Sequence, residues 1–141
     1  MPDASEVFRA SFARAVGDTG YNDEFIQRFY DIFMAKSSEI AQMFSNTNMT
    51  VQKTMLHDSL HYLLGYYNSG VPNVHLKHIK KVHGASGANI PDRFYALWLD
   101  SLIEAVKDKD PQFDRDVEQA WRRVMAPGIE YLSGKTATAH R

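Results

Sequence analysis

The stretch Val74–His83, VHLKHIKKVH, decides how this chain is read. Leu76, Ile79 and His83 follow one another at three- and four-residue steps, which places them along one side of a short helix. The apolar side of that helix therefore ends in an imidazole. His75, Lys77, His78, Lys80 and Lys81 make the rest of it a basic, solvated surface. A single histidine on an apolar face is most often a satisfied core residue, so the role of His83 turns on its surroundings.

Those surroundings read as helical throughout. Phe8, Phe12, Ala15 and Val16 form one stripe, Phe25, Ile26, Phe29, Tyr30 and Phe33 a second, and Leu56, Leu60, Leu63, Leu64 and Tyr67 a third. Phe94, Leu97, Trp98, Leu102 and Ala105 form a fourth, and Phe113, Val117, Trp121 and Val124 a fifth. All repeat at the helical period, and no stretch alternates strictly between apolar and polar. Expected helix starts are Asp3 with Glu6 as a capping box, Asn22, and Asp110-Pro111 as a cap followed by a first-turn proline. Breaks are expected at 17–20, 45–50, 68–73 and 84–89, which are rich in Gly, Asn and Ser. Pro127-Gly128 should kink or break the last helix near Ala126, because proline removes a helical hydrogen bond and clashes with the preceding turn. The expected architecture is one all-α domain over 1–141, with its core at 5–132 and a fraying tail from 133.

Composition narrows the function. With 44% hydrophobic and 23% charged residues in 141, the chain has the balance of one globular unit. A net charge of -1 argues against a non-specific hold on nucleic acid or anionic lipid. Cysteine is absent, which excludes disulfides, thiolate nucleophiles, iron–sulfur clusters and cysteine-ligated zinc. No apolar run approaches the roughly 18 residues of a membrane span, and the acidic start MPDASEVF does not read as a signal peptide. A cytoplasmic protein without nucleic-acid or membrane partners is the expectation.

Without cysteine, the six histidines become the candidates for metal or acid–base chemistry. His57 and His61 imitate a zinc-protease helix, but that motif needs a glutamate directly after the first histidine and a third ligand. Asp58 is one methylene short, and no third ligand is evident, so both read as solvated or half-buried helix residues. His140 lies in the tail.

The pattern Leu76-x-x-Ile79-x-x-x-His83, followed by Ile90-Pro91-Asp92-Arg93-Phe94-Tyr95, resembles the proximal-histidine helix and the next helix of the globin family. Phe29-Tyr30-Asp31-Ile32-Phe33 is similar to the second helix of bacterial flavohaemoglobin-type globins, in which a tyrosine faces the ligand side of the haem. Phe44, fourteen residues after Tyr30, stands at the separation of the phenylalanine that wedges against the porphyrin. Gln52-Lys53-Thr54-Met55-Leu56 resembles the distal segment, with Gln52 at its polar position and Leu56 one turn later, and Ala120-Trp121 also fits the bacterial members. The resemblance spans 5–132 and rests on the order of these motifs rather than on any one. The segment between Phe44 and Gln52 is slightly shorter than the flavohaemoglobin pattern, which leaves Val51, Thr54 or Met55 as alternatives to Gln52 or Leu56 beside the ligand. No glutamate can be assigned behind His83 in the last helix.

The resemblance implies a globin fold around haem b, iron protoporphyrin IX, with His83 as the iron ligand. It implies cofactor contacts from Phe44, Leu56, Leu76, Ile79, Ile90 and Tyr95, and a ligand side formed by Tyr30, Gln52 and Trp98. Tyr30 is either a core tyrosine bonded to a carbonyl or a donor to bound dioxygen. Gln52 is either solvated or a ligand contact. Trp98 either fills the core or aims its indole at the ligand, as a tryptophan at a similar point does in truncated globins. The implied function is reversible binding of O2, NO or CO. It would serve oxygen storage or supply, or nitric-oxide detoxification with an external reductase, since no flavin or nicotinamide domain is present. The alternative is a gas sensor that signals to a separate partner protein. A globin fold that has lost haem and serves as an interaction module is a third reading, against which His83 and Phe44 argue.

Overall fold

Seven helices carry the regular structure of the computed structural model, which describes residues 3–17, 23–83 and 90–133. They are α1 (Ala4–Ala15), α2 (Asp23–Ala35), α3 (Ser38–Met43), α4 (Met49–Ser69), α5 (Val74–His83), α6 (Asp92–Lys109) and α7 (Arg115–Ser133). Among the described residues there is no strand, as the uniform helical period predicts. None of these helices is long and apolar enough to cross a membrane. Asn22, the stretches 18–20 and 84–89 and the tail from 134 lie outside the described residues.

Short polar side chains set the ends of most helices, by accepting from backbone N–H groups that have no partner in the first turn. Asp3 Oδ1 accepts from the Glu6 N–H at 2.9 Å, Asn48 Oδ1 from Thr50 and Val51 at 3.1 and 3.2 Å, and Asn73 Oδ1 from Leu76 at 2.8 Å. Gly70 closes α4 in the left-handed region (φ 73°), where a side chain would be strained. Asp110-Pro111 does not open α7. Asp110 is the C-cap of α6, and α7 starts at Arg115 with Asp114 Oδ1 accepting from the Val117 N–H. A proline just past a cap fits a helix end as well as a helix start, since it cannot continue the helix.

Pro127-Gly128 does not break α7, which runs to Ser133. Contacts from its neighbours hold it through the proline. Lys80 Nζ donates to the Tyr131 carbonyl at 2.6 Å and sits over the Tyr131 ring, and the Tyr95 hydroxyl donates to the Leu132 carbonyl at 3.5 Å. Gly128 is buried against α4, and a Cβ there would meet Leu63 Cδ2 at 2.0 Å. The missing side chain lets the two helices approach closely.

The core forms where α2 packs on α6 and where α1 and α4 pack on α7. Trp121 is fully buried at its centre, 4.4 Å from Phe8 and 6.2 Å from Phe25 between ring centroids. Its indole N–H donates to Ser11 Oγ at 2.9 Å, and Ser11 donates in turn to Asp110 Oδ2 at 2.6 Å. Arg14 Nε and Nη2 and the Gln112 N–H complete the carboxylate's shell. Burial alone would raise the Asp110 pKa, but these hydrogen bonds and the Arg14 charge hold it below the ordinary carboxylate value.

Candidate functional site

A cavity of about 920 Å³, its open mouth included, lies among α2 to α7. This is within the size range of sites for small organic cofactors. Tyr30 and Phe33 face it from α2, Phe44 from the end of α3, Leu56 and Leu63 from α4, and Leu76 and Ile79 from α5. Ile90 and the α6 residues Phe94, Tyr95 and Trp98 line it further, with Ile129 and Leu132 from α7. Aromatic and aliphatic carbon dominates this wall. Gln52, Ser59, Tyr30 and Tyr95 carry its polar groups.

The helical period explains why these residues converge. On α4, Gln52, Leu56, Ser59 and Leu63 recur every three or four positions and so share one face. Gln52 and Leu56 turn inward and Met55 lines the mouth, whereas Val51 is exposed and the Thr54 hydroxyl donates to the Thr50 carbonyl of its own helix.

Tyr30 is 2% exposed, and its hydroxyl accepts from Gln52 Nε2 at 3.0 Å. A polar couple is thus set into an apolar wall. Phe44 stands edge-on to Tyr30, with ring centroids 5.6 Å apart, and lies 6.2 Å from Phe33. Trp98 meets Phe29 edge-on at 5.9 Å. Burial, and secondarily Asp92, raise the Tyr95 pKa, so that phenol stays neutral.

The structure therefore brings nine sequence-selected residues to one cavity: Tyr30, Phe44, Gln52, Leu56, Leu76, Ile79, Ile90, Tyr95 and Trp98. The backbone of His83 ends α5, four residues after Ile79, and its side chain lies outside the described residues. The histidines at 57, 61, 75 and 78 do not line the cavity. His57 and His61 pack on Phe12 at 6.0 and 5.0 Å, and His75 stacks on Tyr62 at 4.8 Å. Burial, then the charge of His57, lowers the His61 pKa against a smaller opposing pull from Asp58. No cluster of three or more potential metal-ligating side chains occurs among the described residues.

Phe33, Leu63, Phe94, Ile129 and Leu132 also line the cavity and were not singled out from sequence. Phe33, Leu63 and Phe94 sit on stripes that were recognised, so the signal was present but read as core. Ile129 and Leu132 follow Pro127, where the sequence predicts an interruption.

Six of the seven helices, α2 to α7, thus surround an apolar cavity with a few polar points. A crystal structure of a protein PA3967 from Pseudomonas aeruginosa PAO1, described as structurally highly homologous to a human hemoglobin, superposes with a TM-score of 0.85. The two share 30% identity over 94% of this chain and 97% of that one. The chain belongs to the globin family. No family model matches it, and no curated protein sequence does.

Proposed function

We propose that this globin holds haem b in its cavity and reversibly binds a diatomic gas, O2, NO or CO. The observation that carries the reading is the Tyr30–Gln52 hydrogen bond, a polar couple facing a mostly apolar cavity. The lining fits a flat porphyrin. Phe44, Leu56, Leu76, Ile79, Ile90 and Tyr95 supply carbon surface from five separate segments, and burying it is worth about 25 cal/mol per Å². His83 would hold the iron, since its sequence position on α5 continues the line of Leu76 and Ile79.

Haem, when bound, supplies the iron at which the gas is held. The chain supplies the rest. Phe44 and the aliphatic side chains would exclude water and pack against the porphyrin. The second nitrogen of His83 would need an acceptor to fix its tautomer. Tyr30, whose hydroxyl lies beside Gln52 at the cavity wall, would be the principal donor to the gas. Gln52 orients it, and Trp98 closes the wall beside Phe29. This tyrosine–glutamine couple supports a kinship with the haem domain of flavohaemoglobins. Oxygen storage or supply, or nitric-oxide detoxification with an external reductase, is the role we infer.

The deciding measurement is the absorption spectrum of the purified chain after haem is added, for wild type and His83→Ala. Wild type should show a Soret band. His83→Ala should bind little haem, or bind it in a form that added imidazole restores. An unchanged spectrum in the variant overturns His83, and no Soret band in either overturns the cofactor.

A further inference from the structure

A second space adjoins the cavity. It is an open groove of about 840 Å³ between α3 and the start of α6, lined by Glu39, Gln42, Met43, Ile90, Pro91 and Phe94. Met43, Ile90 and Phe94 also line the cavity, so these three side chains stand between the two spaces. Phe94 is the largest and is 4% exposed. The residue before it ties the sides of the groove together. Arg93 Nη2 donates to Glu39 Oε1 on α3 at 2.8 Å, and the Arg93 guanidinium lies 4.8 Å from the centre of the Phe94 ring.

We propose that this groove is the route by which small apolar gases reach the cavity, with Phe94 as the shutter and the Glu39–Arg93 pair as its latch. A diatomic gas carries no charge, so passing Met43, Ile90 and Phe94 costs it no desolvation. Met43 is unbranched and partly exposed, and gives way readily. Both latch residues are exposed, so the ion pair is weak and screened by salt, as suits a part that must open. The competing route lies beside α4, where Met55 is half exposed at the cavity mouth.

The identity of the traveller rests on the gas-binding reading, but the route can be measured without haem. Trp98 lines the cavity, and Trp121 is sealed in the core. Quenching of tryptophan fluorescence by dissolved oxygen in the haem-free chain, taken as the difference from Trp98→Phe, therefore reports arrival at the cavity. Phe94→Leu should raise the quenching rate about threefold, and Ile90→Phe should lower it about threefold and more than Met55→Phe does. Raising salt to about 0.5 M should speed wild type up to about twofold and leave Glu39→Gln, which sits at an exposed position and keeps the fold, without further change. Carbon monoxide rebinding after flash photolysis of the haem-loaded protein should rank the variants in the same order. If that order appears in quenching while no haem binds, the route stands and the cofactor reading falls. Met55→Phe slowing quenching as much as Ile90→Phe, or Phe94→Leu leaving it unchanged, overturns the route.

Discussion

Two groups of polar side chains inside the molecule are treated in opposite ways. At the junction of α1, α6 and α7, the Asp110 carboxylate has no exposed surface and takes hydrogen bonds from Ser11, Arg14 and the Gln112 N–H, with Trp121 bound to Ser11 behind it. At the cavity, Tyr30 and Gln52 share a hydrogen bond and belong to a wall made mostly of carbon. The first arrangement is closed: both carboxylate oxygens are already engaged in holding the chain together. The second fronts a space. Buried polarity by itself does not mark a site; buried polarity beside room for a ligand does.

The largest expected effect should come from the closed cluster. Asp110→Ala leaves Arg14 and Ser11 facing a gap and should cost about 3–5 kcal/mol, the usual loss on removing one member of a buried pair. Denaturant unfolding would read this, and gas affinity of whatever protein stays folded should not change. Tyr30→Phe should do the reverse. Stability should move by less than about 1 kcal/mol, while oxygen dissociation accelerates roughly ten- to hundredfold, the weight of one charge-assisted hydrogen bond. Stopped-flow oxygen displacement tests it. If Tyr30→Phe destabilises as Asp110→Ala does and releases oxygen no faster, the contrast between the regions collapses.

Gly128→Ala probes the link between framework and cavity. The new methyl must displace Leu63, which lines the cavity, at a cost of about 1 kcal/mol, and haem should bind more weakly than that loss of stability explains. The smallest effects are those of pH. The Asp110 carboxyl titrates below its unfolded value of about 3.9, so the stability it supplies is complete above that pH and is lost as pH falls through the folded value. The His61 pKa is also depressed, and the sign is the same: below about pH 6.5 the unfolded chain takes up the proton more readily, so stability falls as pH falls. Melting temperature should decline slightly from pH 7 to 5.5 in wild type and less in His61→Gln.

The helices were legible because each one buries a stripe. Phe25, Ile26, Phe29 and Phe33 must face the core if α2 is to pack at all. Most of the cavity wall was legible for the same reason, since the faces that pack also line it. The errors fall where tertiary contacts override local signals. Asp110-Pro111 carries the marks of a helix start and of a helix end, and the choice is made by Ser11 and Arg14, distant in sequence. Pro127 reads as a breaker until Lys80, Tyr95 and Leu63 are seen around its helix. The Tyr30–Gln52 bond joins two helices, so spacing could bring the pair to one region but could not specify the contact.

The closed cluster also bears on the order of events in folding. Ser11 reaches Asp110 across 99 residues and Trp121 across 110, so these bonds join the two ends of the described chain. The loop they close is long, and its entropy is paid before the contact gives any return. Such a contact should form after the transition state is crossed. Asp110→Asn should therefore steepen the loss of the native state, raising the unfolding rate, while the refolding rate stays close to that of wild type.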